Sequence, residues 1–555
     1  MIWLLIVSTR NLTRSALVCL ALALTLAGQF LLFDQIGAKA ATATWPRWND
    51  QIQYLTEAYT AWEHVKAAGA PAGWWHSLTN PAAQGSWHDT AALAIFTLAD
   101  GPSRSAALAL NALFLIAWQL ALFASLRTSP CTRPAAWVAL GVPLLLKGPW
   151  VDGPGSMYDF RLDWMATCAL GVCAAFALAT HGWLRRGWCL GLGAAVGLTI
   201  SLRFLTITYL GAAAALSFVA ILLIHKNRRE RFGGLLASAL LAGWIASPAL
   251  WINRQVIWDY YLVGHFTGPE SVIRAPSFSL TKAIGWVFQE WEAEHVGPFF
   301  WIVTAATLLI TFTISLVSRA RSSAGQRSKL DVTWVTASVP FTLFCAVSLI
   351  LIVHPQKSLV VLGNMSAAWV TLVAWGLAAV AGRLRSGWAL TSATIFTAIA
   401  LGFYTHKMLR AGPAVTVQDD ARTIFSVVDE VAEISKARAW GHPSIAVDRI
   451  TDSLDAQVMR VIVYERHRRW VPFIMTLPTG IGETDDAIIR ERLEQSDFVL
   501  LTLTGERGDW PYDRQLRRRR NATLAWCETH LAEIRTFSVE GETMKLFVRL
   551  NSPGT

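Results

Sequence analysis

The fold is decided near the start of the chain, where residues 12–33 read LTRSALVCLALALTLAGQFLLF and residues 48–54 read WNDQIQY. The first stretch is long enough for a helix of roughly 20 residues, which crosses a hydrocarbon core of about 30 Å. The second stretch places an acid, Asp50, in the loop that leaves this helix. The chain therefore enters a membrane early and carries a carboxylate just beyond it.

Similar apolar stretches recur through the first 410 residues. We predict eleven transmembrane helices, near 12–33, 105–126, 134–147, 164–180, 187–202, 204–225, 231–252, 297–318, 333–353, 358–382 and 388–406. The predicted fold class is a polytopic α-helical membrane protein with a transmembrane domain over 1–410 and a C-terminal soluble α/β domain over 411–555. In this domain we predict strands at 444–450, 458–464, 497–504 and 545–550. A β-barrel would show short alternating strands instead of these long apolar runs.

The composition agrees with this class. The chain has 555 residues, of which 54% are hydrophobic and 15% are charged, and its net charge is +10. Lys and Arg collect in alternate short loops, as expected for cytoplasmic loops and lipid headgroups. The membrane accounts for the positive charge, so nucleic-acid binding is not expected and membrane lipids are the expected neighbours.

The distribution of Lys and Arg places the N-terminus inside the cell. The loop 34–104 and the tail 411–555 then face outward, which in a bacterium means that the inner membrane carries a periplasmic C-terminal domain. A second interpretation is open, because Ala38-Lys39-Ala40 resembles a signal-peptidase site. We favour a retained first span, and Asp50 lies outside in both cases.

The loop 34–104 contains two predicted helices. Apolar residues at Ile52, Leu55 and Tyr59 have helical spacing. That helix is expected to lie on the membrane surface, with Glu57 on its wet face. A second helix is expected to start at His88 and Asp89 and to stop before a turn at 100–102.

Asp50 admits two roles. With Gln53 three residues later it matches a capping box at a helix start. A carboxylate at a helix start can also face a cavity and act as a base. The two roles are compatible, and we take Asp50 as the candidate catalytic residue.

A second acidic site follows the third predicted span, where Asp159, Arg161 and Asp163 stand within five residues. Charges at the entrance of a span are costly if buried and so indicate function. Two carboxylates around an arginine can bind a divalent ion such as Mg²⁺ or Mn²⁺, or can hold the arginine for a phosphate. A solvated loop with internal ion pairs is the simpler alternative.

Three further cations are expected at the outer surface. His354 and Lys357 follow the ninth predicted span, and Arg203 stands at the turn between two spans. With Arg161 they are the candidate ligands of a lipid phosphate, although side chains that extend to the interface give the same pattern.

In these features the chain resembles the GT-C superfamily of polytopic glycosyltransferases, and within it the protein O-mannosyltransferases and the lipid A aminoarabinose transferase. The resemblance depends on four features: Asp50 before a Tyr-bearing helix; the run from His88 to Leu93 followed by Gly101-Pro102-Ser103-Arg104 and Asn111-Ala112-Leu113-Phe114; Asp159-Phe160-Arg161-Leu162-Asp163; and the outward tail. It covers most of the chain in layout. The chain departs from the family at Gln51, where the family often has Glu.

The resemblance implies an inverting glycosyltransferase that uses a polyprenyl-phosphate sugar donor on the outer membrane face. Asp50 would take the proton from an acceptor hydroxyl, and Arg161, Arg203, His354 and Lys357 would meet the donor phosphate. His88, Asp89 and Glu57 would line the substrate cavity. The acceptor, whether glycan, lipid or protein, and the sugar are left open.

Three alternatives stand beside this expectation. A transporter or flippase for a lipid-linked or anionic substrate needs charges deep within spans, and this chain has few. An O-antigen ligase or polymerase relies chiefly on outer-loop Arg and His, and the long tail disfavours it. A non-catalytic scaffold would use Asp50 only as a helix cap.

Overall fold

The computed structural model describes residues 2–46, 49–99, 101–151, 153–223, 227–264, 267, 279–321, 324–354, 357–410, 415–441, 443–448, 456–468, 473–476, 484–504 and 511–550. The chain divides into two compact units. The membrane unit comprises 1–38, 61–99 and 106–411, and the tail unit comprises 39–60, 100–105 and 412–555.

The described part of the first 410 residues is mostly helical. The α-helices are Ile2–Leu32, Lys39–Thr42, Asn49–Ala68, Ala70–Thr79, His88–Leu98, Arg104–Leu126, Val138–Gly141, Leu162–Ala179, Arg186–Leu202, Thr206–Leu223, Arg228–Ile257, Leu280–Glu290, Pro298–Arg321, Ala324–Val353, Leu359–Leu362, Asn364–Ala381 and Ser386–Arg410. Wider or tighter helical turns occupy Phe33–Ala38, Arg133–Ala135, Val142–Leu145, Gly148–Trp150, Trp258–Gly264 and Trp291–Val296.

These helices form a polytopic membrane body. In the part of the chain that the structure describes, eight helices are long and apolar enough to cross a membrane. The count becomes nine if Leu280–Val296 and Pro298–Thr311, which meet at 107°, are one broken span. The total of eleven spans stays a prediction.

Two predicted spans differ from the others. The region 134–147 contains short helices in place of one continuous helix. Pro134 and Pro143 explain the breaks, because proline lacks the amide hydrogen that an inner helical turn requires. The helix Arg186–Leu202 has 17 residues and is shorter than the helices that are long enough to cross a membrane.

The two helices predicted in the first loop are present as Asn49–Ala68 and His88–Leu98. The apolar face of the first is buried inside the protein, since Ile52, Leu55 and Tyr59 are at most 2% exposed. We call Asn49–Ala68 the loop helix. Its first part, to Thr60, belongs to the tail unit, so the predicted boundary near residue 410 leaves out two segments of that unit.

The tail unit contains an α/β sheet. Its strands are β1 Ser444–Val447, β2 Phe473–Thr476, β3 Phe498–Thr502, β4 Leu531–Val539 and β5 Glu542–Arg549, in the order β2-β1-β3-β5-β4. The pairs β1–β2 and β1–β3 are parallel, whereas β3–β5 and β4–β5 are antiparallel. Its helices are Val415–Ala437, Ala456–His467, Asp486–Gln495 and Pro511–His530.

One element of the tail was predicted wrongly. The run 458–464 is rich in β-branched residues and reads as a strand, but it lies in the helix Ala456–His467. This helix is buried on nearly every side, including Val458, Val461 and Val463. A helix is recognised by apolar residues that recur every three or four positions between polar ones. When nearly all positions are buried and apolar, this spacing is lost.

Candidate functional site

Four charged residues of the membrane unit form one buried group, which we call the charge cluster: Asp159, Arg161, Asp163 and Arg203. The Arg161 Nε atom lies 3.7 Å from Asp159 Oδ2 and 3.4 Å from Asp163 Oδ2. Arg203 Nη2 donates to Asp163 Oδ1 at 3.0 Å. The structure thus brings Arg203 to Asp163, which lies forty residues earlier in the sequence beside Arg161 and Asp159.

The carboxylates lie beneath the guanidinium groups. The Asp159 and Asp163 side chains are 0% and 3% exposed, while those of Arg161 and Arg203 are 13% and 8% exposed. Asp163 also occupies the first turn of the helix Leu162–Ala179, where the helix dipole favours a negative charge. The arrangement holds two cations that are more exposed than the acids with which they pair.

A second set of contacts fixes the segment that carries the cluster. Asn111 is fully buried, and its amide donates to the carbonyls of Met157 at 3.1 Å and Asp159 at 2.9 Å. The Gly155 amide donates to Asp159 Oδ2 at 2.7 Å. Gly155 has a φ of +77°, and a Cβ there would approach Val360 to 2.7 Å, so glycine is required.

The first loop supports Arg203 from the other side. Arg203 Nη1 donates to Gln84 Oε1, and Gln84 Nε2 donates to the Tyr260 hydroxyl at 3.1 Å. At Gly85 a Cβ would approach the Leu202 carbonyl oxygen to 1.8 Å. The close approach of these two backbones therefore depends on glycine and places Gln84 against the arginine.

A divalent ion at Asp159 and Asp163 stays a prediction, and the contacts favour the other alternative, in which the acids hold an arginine for an anion. The two carboxylates of the charge cluster are already compensated by two guanidinium groups. Among the described residues, there is no group of three or more His, Cys, Asp or Glu side chains suited to a metal ion. The donor set fits an anion better than Mg²⁺ or Mn²⁺, which prefer several oxygen ligands.

His88 and Asp89 begin a helix, as predicted. Both are buried, and Asp89 Oδ1 accepts from the Thr90 amide at 2.8 Å. The His88 ring lies 6.3 Å from the ring of Phe160, which stands between two members of the charge cluster. His88 therefore lies beside the cluster, and its role in a substrate cavity stays a prediction.

Lys357 caps a helix. Its ammonium group donates to the carbonyls of Leu351, Ile352 and His354 at 2.9, 2.8 and 2.7 Å, at the end of the helix Ala324–Val353. An ammonium group has three donors, and all three are used here. Burial lowers the pKa of Lys357 below its usual value. Binding of a phosphate by Lys357 or the adjoining His354 stays untested, and we leave both out of the proposed phosphate site.

Asp50 and Glu57 lie on the loop helix, in the part that belongs to the tail unit. Asp50 is in the first turn and is partly exposed. Gln53 donates to Glu57 Oε1 at 3.0 Å. This bond directs the Gln53 amide group forward along the helix, whereas a capping box requires it to reach back toward the helix start.

The membrane unit also contains an apolar cavity of about 390 Å³. It lies between three helices and is lined by residues including Thr304, Phe341 and Trp369. Trp369 shares its helix with Asn364, whose Oδ1 accepts from Thr167 at 3.0 Å. Thr167 lies one turn beyond Asp163, so the helix Asn364–Ala381 borders both the cavity and the helix of the charge cluster.

Sequence reasoning missed several residues of this site, namely Gln84, Asn111 and Tyr260 as partners of the cluster. Asn111 offered a signal, because a polar side chain within an apolar span is costly unless it has a function. Gln84 and Tyr260 offered none, since both lie in loop or helix-end segments where polar residues are ordinary.

No protein-family model matches the sequence, and no curated protein matches it significantly. Among solved structures, the chain is similar to ArnT from Cupriavidus metallidurans, which was crystallised bound to undecaprenyl phosphate. The TM-score is 0.54 and the sequence identity is 13%, and the alignment covers 96% of this chain and 98% of that chain. At this identity the likeness shows a shared fold, in agreement with the polytopic helical architecture that the sequence predicts.

Proposed function

We propose that the protein is an inverting glycosyltransferase that moves a sugar from a polyprenyl-phosphate donor to an acceptor hydroxyl at the outer face of the membrane. The observation that carries this proposal is the charge cluster, in which buried carboxylates hold Arg161 and Arg203 as a pair. The cluster occurs in a fold whose solved neighbour binds undecaprenyl phosphate.

In this proposal the arginine pair binds the phosphate of the donor lipid. Arginine presents several N–H donors in a planar fork that matches phosphate geometry. As the bond between the sugar and the phosphate breaks, negative charge grows on the leaving phosphate, and fixed cations stabilise it. Asp159 and Asp163 contribute by holding the cations before the substrate arrives.

Asp50 acts as the general base in this proposal. This residue is on the first turn of the loop helix and is partly exposed, which supports access by an acceptor. It accepts the proton of the acceptor hydroxyl while that oxygen forms a bond to the anomeric carbon, and the lipid phosphate leaves with the electrons of the broken bond. A single displacement of this kind inverts the configuration of that carbon.

The apolar cavity provides a place for part of the donor's isoprenoid chain. Its lining is dominated by apolar and aromatic side chains. The helix that borders it also contacts the helix of the charge cluster through Asn364 and Thr167. We assign the cavity to the lipid on these grounds, and we place the tail unit in the periplasm of a bacterial cell on the grounds of loop charge.

The decisive test of the function is whether the sugar leaves its lipid. Purified protein in nanodiscs receives a synthetic polyprenyl-phosphate sugar together with membrane extracts that supply acceptors. A glycosyltransferase releases free polyprenyl phosphate and forms a new glycoside of inverted configuration. A flippase leaves the donor intact, and an intact donor under conditions that support binding would contradict the proposal.

A further inference from the structure

A carboxylate of the tail unit meets two segments of the first loop. Glu465 lies on the helix Ala456–His467, and its Oε1 accepts from the Tyr59 hydroxyl at 2.8 Å. Its Oε2 lies 3.5 Å from Arg104 Nη2. We call Glu465, Tyr59 and Arg104 the clasp.

Each partner of Glu465 fixes a different part of the chain around Asp50. Arg104 is 4% exposed, and its Nη2 donates to the carbonyls of Thr42, at 3.1 Å, and of Thr44. Tyr59 is on the loop helix, roughly two and a half turns beyond Asp50 at 3.6 residues per turn. Asp50 therefore lies between two anchored points that share one carboxylate.

Other contacts strengthen the clasp. The rings of Tyr59 and Tyr464 stack with centroids 4.9 Å apart. Arg468, one turn after Glu465, donates to the carbonyl of Pro102. Burial raises the pKa of Tyr59 well above its usual value, so the phenol stays a neutral donor at physiological pH.

We propose that Glu465 is a positioning residue for Asp50. It contacts no reacting group, and it acts by holding the loop helix through Tyr59 and the segment before that helix through Arg104. This inference rests on the proposed function, because it assigns to the α/β domain a part in the same transfer reaction. The domain then serves as the support on which the base is held.

Substitutions can separate the two halves of the clasp. Tyr59→Phe removes one hydroxyl and leaves the ion pair with Arg104. Glu465→Gln keeps an acceptor for Tyr59 but removes the charge that compensates the buried guanidinium of Arg104. Asp429→Asn is the matched control. Asp429 pairs with Arg466 and His467, which lie on the same helix as Glu465, and it contacts neither loop segment in the clasp.

The experiment uses the full chain in nanodiscs and measures amide hydrogen exchange together with steady-state transfer. In Tyr59→Phe, exchange over 49–60 should accelerate about tenfold or more, as expected when a hydrogen bond to a charged group is lost. Glu465→Gln should accelerate it to a similar extent, because the acceptor of Tyr59 becomes neutral and the buried guanidinium of Arg104 loses its compensating charge. The kcat for transfer should fall by roughly 10- to 100-fold, since small misplacements of a reacting group have effects of this size. The donor KM and the exchange of other segments should match those of Asp429→Asn.

Two results would overturn the inference. Unchanged exchange over 49–60 would show that the clasp does not hold the segment. Faster exchange with an unchanged kcat would show that it holds the segment without positioning the base. Asp50→Asn is measured in parallel: if it keeps full kcat, the proposed base is wrong, while the exchange data still decide whether Glu465 holds the helix.

Discussion

The charge cluster and the clasp both pair acids with arginines, but their order of burial is reversed. In the cluster the acids Asp159 and Asp163 are deepest, and the arginines are more exposed. In the clasp Arg104 is 4% exposed and Glu465 is 18% exposed. In each group the more deeply buried member has a structural role. The cluster therefore leaves its arginines for a ligand, whereas the clasp arginine binds other parts of the protein.

The use of each guanidinium group supports this distinction. Arg104 donates to two backbone carbonyls that no ligand can replace without opening the chain. The Arg161 Nε atom lies 3.4 and 3.7 Å from oxygens of its two carboxylates, which are ion-pair distances rather than short hydrogen bonds. A phosphate can therefore compete for Arg161 more readily than for Arg104.

The largest expected effect concerns the acid shared by both cluster arginines. Asp163→Ala should destabilise the protein by about 3–5 kcal/mol, because it leaves buried guanidinium charge uncompensated. The loss of stability is measured by thermal unfolding in detergent, in which the remaining monodisperse protein is monitored at each temperature. A variant that unfolds at the wild-type midpoint would mean that the charge cluster is solvated. The cluster would then be no different from the ion pairs of a surface loop.

The next effect tests whether the cluster presents cations to a ligand. Arg161→Gln should weaken donor binding by about 1.5–3 kcal/mol, the range for hydrogen bonds to charged groups. Initial rates measured against donor and against acceptor concentration separate the two substrates. Arg161→Lys should recover part of the loss, since a point charge replaces a planar fork. Unchanged donor dependence in Arg161→Gln would leave the phosphate without its proposed ligand.

Lys357 provides a cation that resembles the clasp arginine in being used internally. Lys357→Gln should lower stability by roughly 0.3–1 kcal/mol, the usual size of a favourable charge at a helix C-terminus. Donor dependence should stay at the wild-type value. A selective loss of donor affinity in this variant would return Lys357 to the phosphate site and would contradict the capping role.

The smallest effect is expected at the surface of the tail unit. The Arg466 guanidinium holds the pKa of Asp429 below its usual value. The stabilisation is therefore present above the unfolded pKa of Asp429 and is lost as the pH falls through the lower folded value. Asp429→Asn should change stability by less than about 1 kcal/mol, as exposed pairs do. A larger change in the free energy of unfolding, measured by chemical unfolding at neutral pH, would contradict this. It would show that the energetic contribution of these ion pairs does not follow their exposure.

The fold was accessible from the sequence because apolar length and helical spacing are local properties. The spans near 105–126 and 164–180 were predicted within a few residues. The strand prediction at 458–464 failed because nearly every residue of this run is buried, which hides helical periodicity. The region 134–147 contains two prolines within an apolar run, and its breaks were foreseeable from them.

The candidate site was accessible only in part. Asp159, Arg161 and Asp163 are neighbours in sequence, so their grouping could be predicted. The choice of Arg203 over Lys357 as a partner could not, since both stand at span ends, and only the packing of Gln84 and Gly85 brings Arg203 to Asp163. The role of Glu465 could not be predicted for the same reason, because its partners Tyr59 and Arg104 lie hundreds of residues away in the sequence.

The central claim is that Asp50 is the base of a glycosyl transfer, and one variant tests it most directly. Asp50→Asn keeps the size of the side chain and its ability to cap a helix, since Asn caps about as well as Asp. Transfer from a polyprenyl-phosphate sugar by the purified variant should fall by about 10²- to 10⁴-fold, with unchanged folding and donor binding. Full transfer activity in a well-folded Asp50→Asn protein would contradict the account.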